Sequence, residues 1–370
     1  MSARSQLPTG RTVSEACAEC AAACMHKVDQ PADEANVSES IIARNEMVDN
    51  VLGIDVSKGK FDAALRRADG RGRSRTFANT EAGFEQLGAW LKQLGVGKLQ
   101  ACLESTGTYG LALAKWLHGA GYVVSVVNPA CVKAFADSEL SRAKTDRVDA
   151  KLIARFCVAM EPAPWSPPAP ELSQLQGLVR RLETLQQMLQ QERNRRGVPG
   201  VSGLVQSSLE RTVELLEREL EQVGQQLADH IDRHPQLKQR RDLLCSIPGI
   251  AETTAARLLS ELSGIEFGRA RQVAAYAGLV PSPRESGTSV RRKARLSKRG
   301  NARLRRALYW PAIVAMRHNP ILRPFAQRLL AAGKPKLVVI AAVMRKLLHL
   351  AFGVLKHGRP FDPNYHALTA

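Results

Sequence analysis

What the sequence lacks narrows its class first. No stretch approaches the roughly 20 uninterrupted apolar residues that a membrane-spanning helix needs. The longest apolar run near the end, LVVIAAVM at 337–344, is short and flanked by Lys and Arg. The first residues, MSARSQLPTGRTVSEACAEC, hold no apolar signal core followed by a small-residue cleavage site. The expectation is an intracellular chain with no membrane partner. Seven cysteines in 370 residues do not suggest a disulfide framework. Cys17, Cys20, Cys24 and His26 stand in a CxxCxxxCxH order that zinc can use. They sit in an Ala-rich leader with no second knuckle, and His26 is very close to Cys24, so free thiols are the expected state. No GxxxxGK[ST] phosphate cradle is present to support a phosphotransferase. Acidic residues are scarce beside basic ones, 35 against 53, which leaves a formal charge of +18. Such an excess attracts polyanions, nucleic acid above all, or an anionic membrane surface. Its concentration in one part of the chain favours nucleic acid.

A chain of 370 residues, 44% of them hydrophobic, can bury two cores. Residues 1–48 read as a variable leader, weakly patterned and either disordered or a product of a start site set too far upstream; Met47 is the comfortable alternative start. From 49 to 160, apolar strands alternate with helical periodicity. VLGIDVS, a turn at Gly59, KFDAALRR and RSRTFAN read as strands, then EAGFEQLGAWLKQLG as a helix, LQACLEST as a strand, GTYGLALAKWLHGAG as a helix, YVVSVVNP as a strand and KTDRVDAKLIARFCVAM as a helix. This predicts a layered α/β domain with a mixed sheet, since the two opening strands are joined tightly enough to be antiparallel. EPAPWSPPAP at 161–170, with five prolines in ten residues, predicts a stiff linker. Residues 171–241 predict long coiled-coil helices whose recurrent leucines need a partner surface, either each other or another subunit. Residues 242–355 predict a mainly α-helical domain, followed by a tail at 356–370. That domain opens with a helix-hairpin-helix-like segment in which Pro248 and Gly249 separate two helical runs, a shape that suits a phosphate and equally a plain helical hairpin. Residues 284–306 carry ten Lys or Arg and one acidic residue. A solvated charge run mixes signs more, so DNA or RNA contact is the better reading.

Asp55 ends the first strand and Glu104 the fourth, while Asp146 and Asp149 lie three apart and share a helical face. Four converging carboxylates repel one another unless a cation neutralises them. An all-oxygen set suits Mg²⁺ or Mn²⁺ rather than zinc. Two such ions about 4 Å apart stabilise the attacking and leaving oxygens of phosphodiester chemistry. Taken singly, each acid is equally at home as a cap or a surface charge, and Asp146 and Asp149 could pair with Lys144, Arg147 or Lys151.

VLGIDVSKGKFDAAL, CLESTGTYG and NPACVKAFADSELSRAKTDRVDAKLIARF resemble the front domain of the IS110/IS1111 transposases, also called the IS116/IS110/IS902 family. SIPGIAETTAARLLSEL and VAAYAGLVPSPRESGTSVRRKARLSKRGNARLRRALY resemble their rear transposase domain, so the likeness runs from about 49 to about 350. The resemblance implies a RuvC-like, RNase H-like domain whose DEDD metal set is Asp55, Glu104, Asp146 and Asp149. It also implies a catalytic serine in the rear domain. Ser286 is the best match, Ser289 the fallback and Ser282 a weaker one, while Ser297 fits a phosphate or structural contact. Arg291, Arg292 and Lys293 could offset charge on the phosphoryl oxygens. Metals brought from the other domain or from another subunit could help the serine attack. The implied partners are element-end and target DNA, an element-encoded guide RNA in some relatives, and further copies of the chain in a dimer or tetramer. The implied location is the cytoplasm, in association with the nucleoid. A RuvC-like metal-dependent junction endonuclease and a non-catalytic nucleic-acid-binding protein remain the rival readings.

Overall fold

The structure, a computed structural model, describes residues 50–67, 69–104, 109–139, 146–200, 202–265, 267–286 and 290–364, with the side chains of 146–148, 283–286 and 290–294 outside that description. The leader with its Cys17, Cys20, Cys24 and His26 lies outside the described residues, as does Ser289. The chain divides into two compact units between Pro167 and Pro168.

The front unit is built on five strands: β1 (Asn50–Val56), β2 (Lys60–Arg67), β3 (Gly72–Ala78), β4 (Gln100–Glu104) and β5 (Val123–Val127). Their order is β3-β2-β1-β4-β5. β1, β2 and β3 pair antiparallel, whereas β4 and β5 run parallel to β1. The short turn at Gly59 allows the antiparallel pair, and each parallel step needs a helical crossover. Those helices are α1 (Glu81–Gln93), between β3 and β4, and α2 (Leu111–Gly119), between β4 and β5. Two further helices, α3 (Pro129–Ser138) and α4 (Asp146–Met160), complete the unit. This mixed sheet with helices is the layered α/β arrangement that the strand pattern predicts, and it is consistent with the RNase H-like, RuvC-like fold that the resemblance implies.

Strand alternation sorts β1 between two cores. Leu52, Ile54 and Val56 join Phe61, Phe77, Phe84 and Leu87 in one core. Val51 turns to the other face, with Cys102, Ile153, Phe156 and Cys157. Gly53 shares that second face, and a Cβ built on it would lie 2.2 Å from the Ala150 carbonyl oxygen and 2.3 Å from the Ala154 nitrogen. Helix α4 therefore rests on β1 backbone against backbone, and only glycine fits there.

The proline-rich segment is less free than its composition predicts. Trp165 donates its backbone N–H to Val124 at 2.6 Å, and the Ser125 hydroxyl donates to the Pro162 carbonyl at 3.1 Å. Its first part thus lines the β5 side of the front sheet, and α5 starts at Pro170.

The rear unit is mostly helical: α5 (Pro170–Arg196), α6 (Gly203–Arg233), α7 (Pro235–Cys245), α8 (Glu252–Leu262), α9 (Ala270–Tyr276), α10 (Ala302–His318), α11 (Leu322–Ala331) and α12 (Lys336–His357). Between α9 and α10 stands an antiparallel hairpin of β6 (Pro281–Ser286) and β7 (Val290–Leu296). Helices α5 and α6 fold back on each other: His230 near the end of α6 bonds the Glu171 carbonyl at 2.9 Å. Leu175, Val179, Leu182, Leu185 and Leu189 meet Val213, Leu216, Val223, Leu227 and Ile231 in one core. Of the two partner surfaces open to these leucines, the chain's own neighbouring helix supplies one. Helix α12 is long and apolar enough to cross a membrane. Its Val339, Ile340, Val343, Leu347, Leu348 and Ala351 are instead buried in the rear core, against α9, α10 and α11.

Candidate active site

The front site is defined by strand register. Ile54 of β1 and Leu103 of β4 are Cα partners in the parallel ladder, so the next residues, Asp55 and Glu104, are neighbours at adjacent strand ends. Both occupy the face covered by α4. Asp55 lies two residues beyond Gly53, which touches α4, and Glu104 lies two beyond Cys102, which bonds Cys157 of that helix. Both carboxylates are partly exposed, as the end of a sheet allows. Asp149 immediately precedes Ala150, the residue seated on Gly53, and is also partly exposed. Asp146 opens α4, and its side chain lies outside the described residues. Among the described residues, no three His, Cys, Asp or Glu side chains form a group that could hold a metal ion. The register thus brings Asp55 and Glu104 together and sets Asp149 on the helix above that sheet face.

Asp62 is the acid that sequence reasoning passed over. It is the Cα partner of Asp55 across the antiparallel pair, so the two carboxylates share a face. Like charges directly opposite one another destabilise a pair of strands. Asp62 is only 5% exposed, accepts a hydrogen bond from the Thr76 hydroxyl at 2.5 Å, and lies 3.7 Å from the Lys60 ammonium. These partners satisfy a buried carboxyl group beside the site. The signal was present in FDAAL, where an acid interrupts an otherwise apolar strand. Cys102 behind Glu104 is a different case. Its hydrogen bond with Cys157 and its burial hold its thiol well above the usual range. That direction favours the neutral thiol.

In the rear unit Ser286 closes β6 and pairs in register with Val290, the first residue of β7. Residues 287–289, which include the fallback Ser289, lie outside the described residues, as does the Ser286 side chain. Glu285 faces Arg291 and Arg284 faces Arg292 in the ladder, so the basic run is carried on paired strands. Ser282 is exposed on β6. The Ser297 hydroxyl accepts from the Arg299 backbone at 3.3 Å and so holds the turn after β7.

The turn at Pro248 and Gly249 is used for packing. Gly249 adopts φ 109°, and a Cβ there would lie 2.9 Å from the Ala315 Cβ on α10. Asn319 also donates to the Pro248 carbonyl at 3.1 Å. The first turn of α8 carries Glu252, whose charge opposes a bound phosphate. Of the two readings of this segment, the plain helical hairpin agrees better with these contacts.

A RuvC-like unit with paired carboxylates at its strand ends, followed by a helical unit carrying a basic hairpin, defines a DNA recombinase of the transposase class. Sequence comparison gives the same answer. Residues 52–196 match the DEDD transposase profile of the IS110 type, and residues 241–327 match the profile described as transposase IS116/IS110/IS902 family. The chain is 34% identical to the pilin gene-inverting protein of Moraxella bovis over 319 residues, covering 85% of this chain and 98% of that protein. The pilin gene-inverting protein of Moraxella lacunata matches at the same identity and coverage. An uncharacterized 43.6 kDa protein of insertion element IS110 from Streptomyces coelicolor is 29% identical over 168 residues, 45% of this chain and 40% of that protein. The chain belongs to the IS116/IS110/IS902 family of insertion-sequence transposases, and DNA is its substrate.

Proposed function

We propose that this transposase cuts and rejoins DNA through a covalent serine intermediate, with Ser286 as nucleophile and Asp55, Glu104, Asp146 and Asp149 as the metal-binding carboxylates. The observation that carries the reading is the placement of Asp55 and Glu104 on neighbouring strand ends, on the face that α4 covers. Two acids so placed, with Asp149 on the covering helix, form an all-oxygen donor set that fits a hard divalent cation. Mg²⁺ or Mn²⁺ bound there would supply Lewis-acid charge to the phosphodiester oxygens.

The remaining steps belong to the chain's own groups. The Ser286 oxygen bonds to phosphorus while the bond from phosphorus to one ester oxygen breaks. That oxygen leaves as a hydroxyl and takes up the proton that the serine gives up. Arg291, Arg292 and Lys293, which follow in β7, offset the charge that builds on the phosphoryl oxygens. The phosphoserine ester keeps the energy of the broken bond, so attack by a new DNA hydroxyl releases the serine and needs no ATP. Applied to two sites in one DNA molecule, the same exchange excises or inverts the segment between them, and applied to two molecules it inserts one into the other; inversion is the activity named for the two Moraxella relatives.

The assembly is a homo-oligomer, a dimer or tetramer, joined through the α5–α6 hairpin. Its exposed apolar residues Val198, Leu204 and Val205 lie near the turn between the two helices. The excess of positive charge, +18 overall, is compatible with an element-encoded guide RNA in addition to DNA. The protein works where the DNA is, in the cytoplasm at the nucleoid.

The test is a denaturing-gel adduct assay with Mg²⁺, element-end and target DNA, and RNA from the element's flank. Wild type forms a protein–DNA adduct, and Ser286→Ala and Asp55→Ala do not. Cleavage without an adduct, lost in Asp55→Ala but kept in Ser286→Ala, would mean hydrolysis by the carboxylates alone.

A further inference from the structure

The rear unit contains a groove of about 1570 Å³ that the chemistry above does not use. It is bordered by α9, the start of β6, the end of β7 and the turn after it, α11 and α12. Its floor is apolar, with Phe325 and with Leu337 and Val338 from the first turn of α12. Leu337 is 70% exposed and Val338 52% exposed, unusual for the side chains of an otherwise core-forming helix. Arg269, Arg271, Arg295, Lys298, Arg345 and Lys346 line it as well, and among the described residues none of its lining is acidic.

These cations differ from others in the same unit. Arg193 pairs with Glu217 at 2.6 Å and Arg241 with Asp232 at 2.8 Å. Among the described residues, no ion pair joins a groove cation to a carboxylate. Arg345 and His349 stand one turn apart on α12, and the buried Nε of Arg345 and Nε2 of His349 have no hydrogen-bond partner. A buried polar atom left without a hydrogen-bond partner is costly, and both residues belong to the groove's lining. Lys346 lies 5.8 Å from the ring centre of Phe325, which ties the cationic wall to the apolar floor. The six cations outnumber what a single small anion needs, and an apolar floor beside them gives sugars and bases a surface of their own.

We propose that this groove holds one nucleic-acid strand, with successive phosphates against Arg271, Arg345 and Lys346 and with sugars or bases against Leu337, Val338 and Phe325. The proposal rests on the chain being a DNA transposase and is independent of the serine step. The shared chemistry is the phosphodiester strand, which DNA or RNA can supply.

The experiment measures equilibrium binding of the full chain, in EDTA, to a labelled single-stranded DNA oligonucleotide and to an RNA of the same base sequence, across a salt series. Arg271 and Lys346 are exposed, so the double variant R271Q/K346Q removes charge without opening a core. A second variant, Leu337→Ser, tests the floor, and R193Q/R195Q on α5 removes the same charge outside the groove. R271Q/K346Q is expected to weaken binding at least about tenfold and to flatten the log–log salt slope by about 1.4, at ~0.7 per lost phosphate contact on a single strand. Leu337→Ser is expected to weaken binding with the slope unchanged. The strand whose binding falls identifies the source. Equal affinities and slopes for R271Q/K346Q and R193Q/R195Q with both strands would overturn the groove. Strand binding retained by Ser286→Ala but lost from the groove variant separates this proposal from the serine mechanism.

Discussion

At the scale of single residues, three positions carry more than their side chains suggest. Gly53 has none, and its contribution is the space it leaves for α4. Gly53→Ala places a methyl against backbone atoms that cannot rotate away. Overpacking costs typically about 1–3 kcal/mol, and the upper end is expected here. Thermal melting should show the front unit destabilised, and a melting temperature equal to wild type would refute the seam. Asp62→Ala removes a buried carboxylate and leaves the Thr76 hydroxyl without its acceptor. A loss of about 1–3 kcal/mol by denaturant titration is expected, while Asp62→Asn, which keeps an acceptor, should recover part of it. His349 gives a pH signature. Burial, then Arg345, Lys346 and Arg271, push its folded pKa below the ordinary 6.5. The unfolded chain therefore takes up the proton first as pH falls. The stability contribution is complete above about 6.5 and is lost as pH drops toward the folded value. Between pH 7 and 5 the wild type should lose melting temperature more steeply than His349→Gln, and superimposed profiles would refute the assignment.

At the scale of elements, legibility followed side-chain pattern. β1, β2, β4 and β5 announce themselves as apolar or alternating runs, and the leucine spacing of α5 and α6 is equally plain. Helix α3 was not anticipated because Pro129 read as the end of a strand. The structure uses it as a helix start, with the Asn128 side chain accepting from the Ala130 backbone at 2.9 Å. The β6–β7 hairpin was missed for a different reason. PSPRES lacks an apolar face, and in VRRKARL Arg and Lys outnumber the apolar Val290, Ala294 and Leu296, so the strand pattern is masked and the two strands are set by pairing with each other. Of the candidate site, Asp55 and Glu104 stand out in the sequence as acids ending strands, and Asp149 by its spacing of three from Asp146. Asp62 showed only as an acid inside an apolar strand, because its place opposite Asp55 depends on register, which the sequence leaves open. The α5–α6 core makes its own prediction. Leu182 is 5% exposed in that contact, and Leu182→Ala should cost about 2–5 kcal/mol, read by denaturant unfolding. Asn301 caps α10 by accepting from Arg303 and Leu304, both at 3.0 Å, and donates to Glu261 at 2.5 Å. Asn301→Ala should cost at least the ~1 kcal/mol of a lost cap, and a neutral result would show that the bonds to Glu261 and Tyr276 carry nothing.

At the scale of the whole molecule, the chain is two compact units, each with a complete core of its own. Residues 168–364 expressed alone are therefore expected to melt cooperatively and to retain single-strand binding. A molten, non-cooperative segment would show that the rear unit depends on the front one. Most of the groove's cations come from outside the basic run at 284–306; Arg269, Arg271, Arg345 and Lys346 gather only when α9 and α12 fold beside it. This is why the total charge was readable in the sequence and the groove was not.

The seam at Gly53 also has a genetic consequence. Every missense change at a glycine codon adds at least one methyl group, so drift at this position has no conservative first step. A chromosomal copy that keeps the proposed site residues Asp55, Glu104, Asp146, Asp149 and Ser286 but has lost this glycine would look intact at those positions while seating poorly the helix that bears two of them. Such a copy is a fossil, and position 53 would expose it before any of the proposed site positions did.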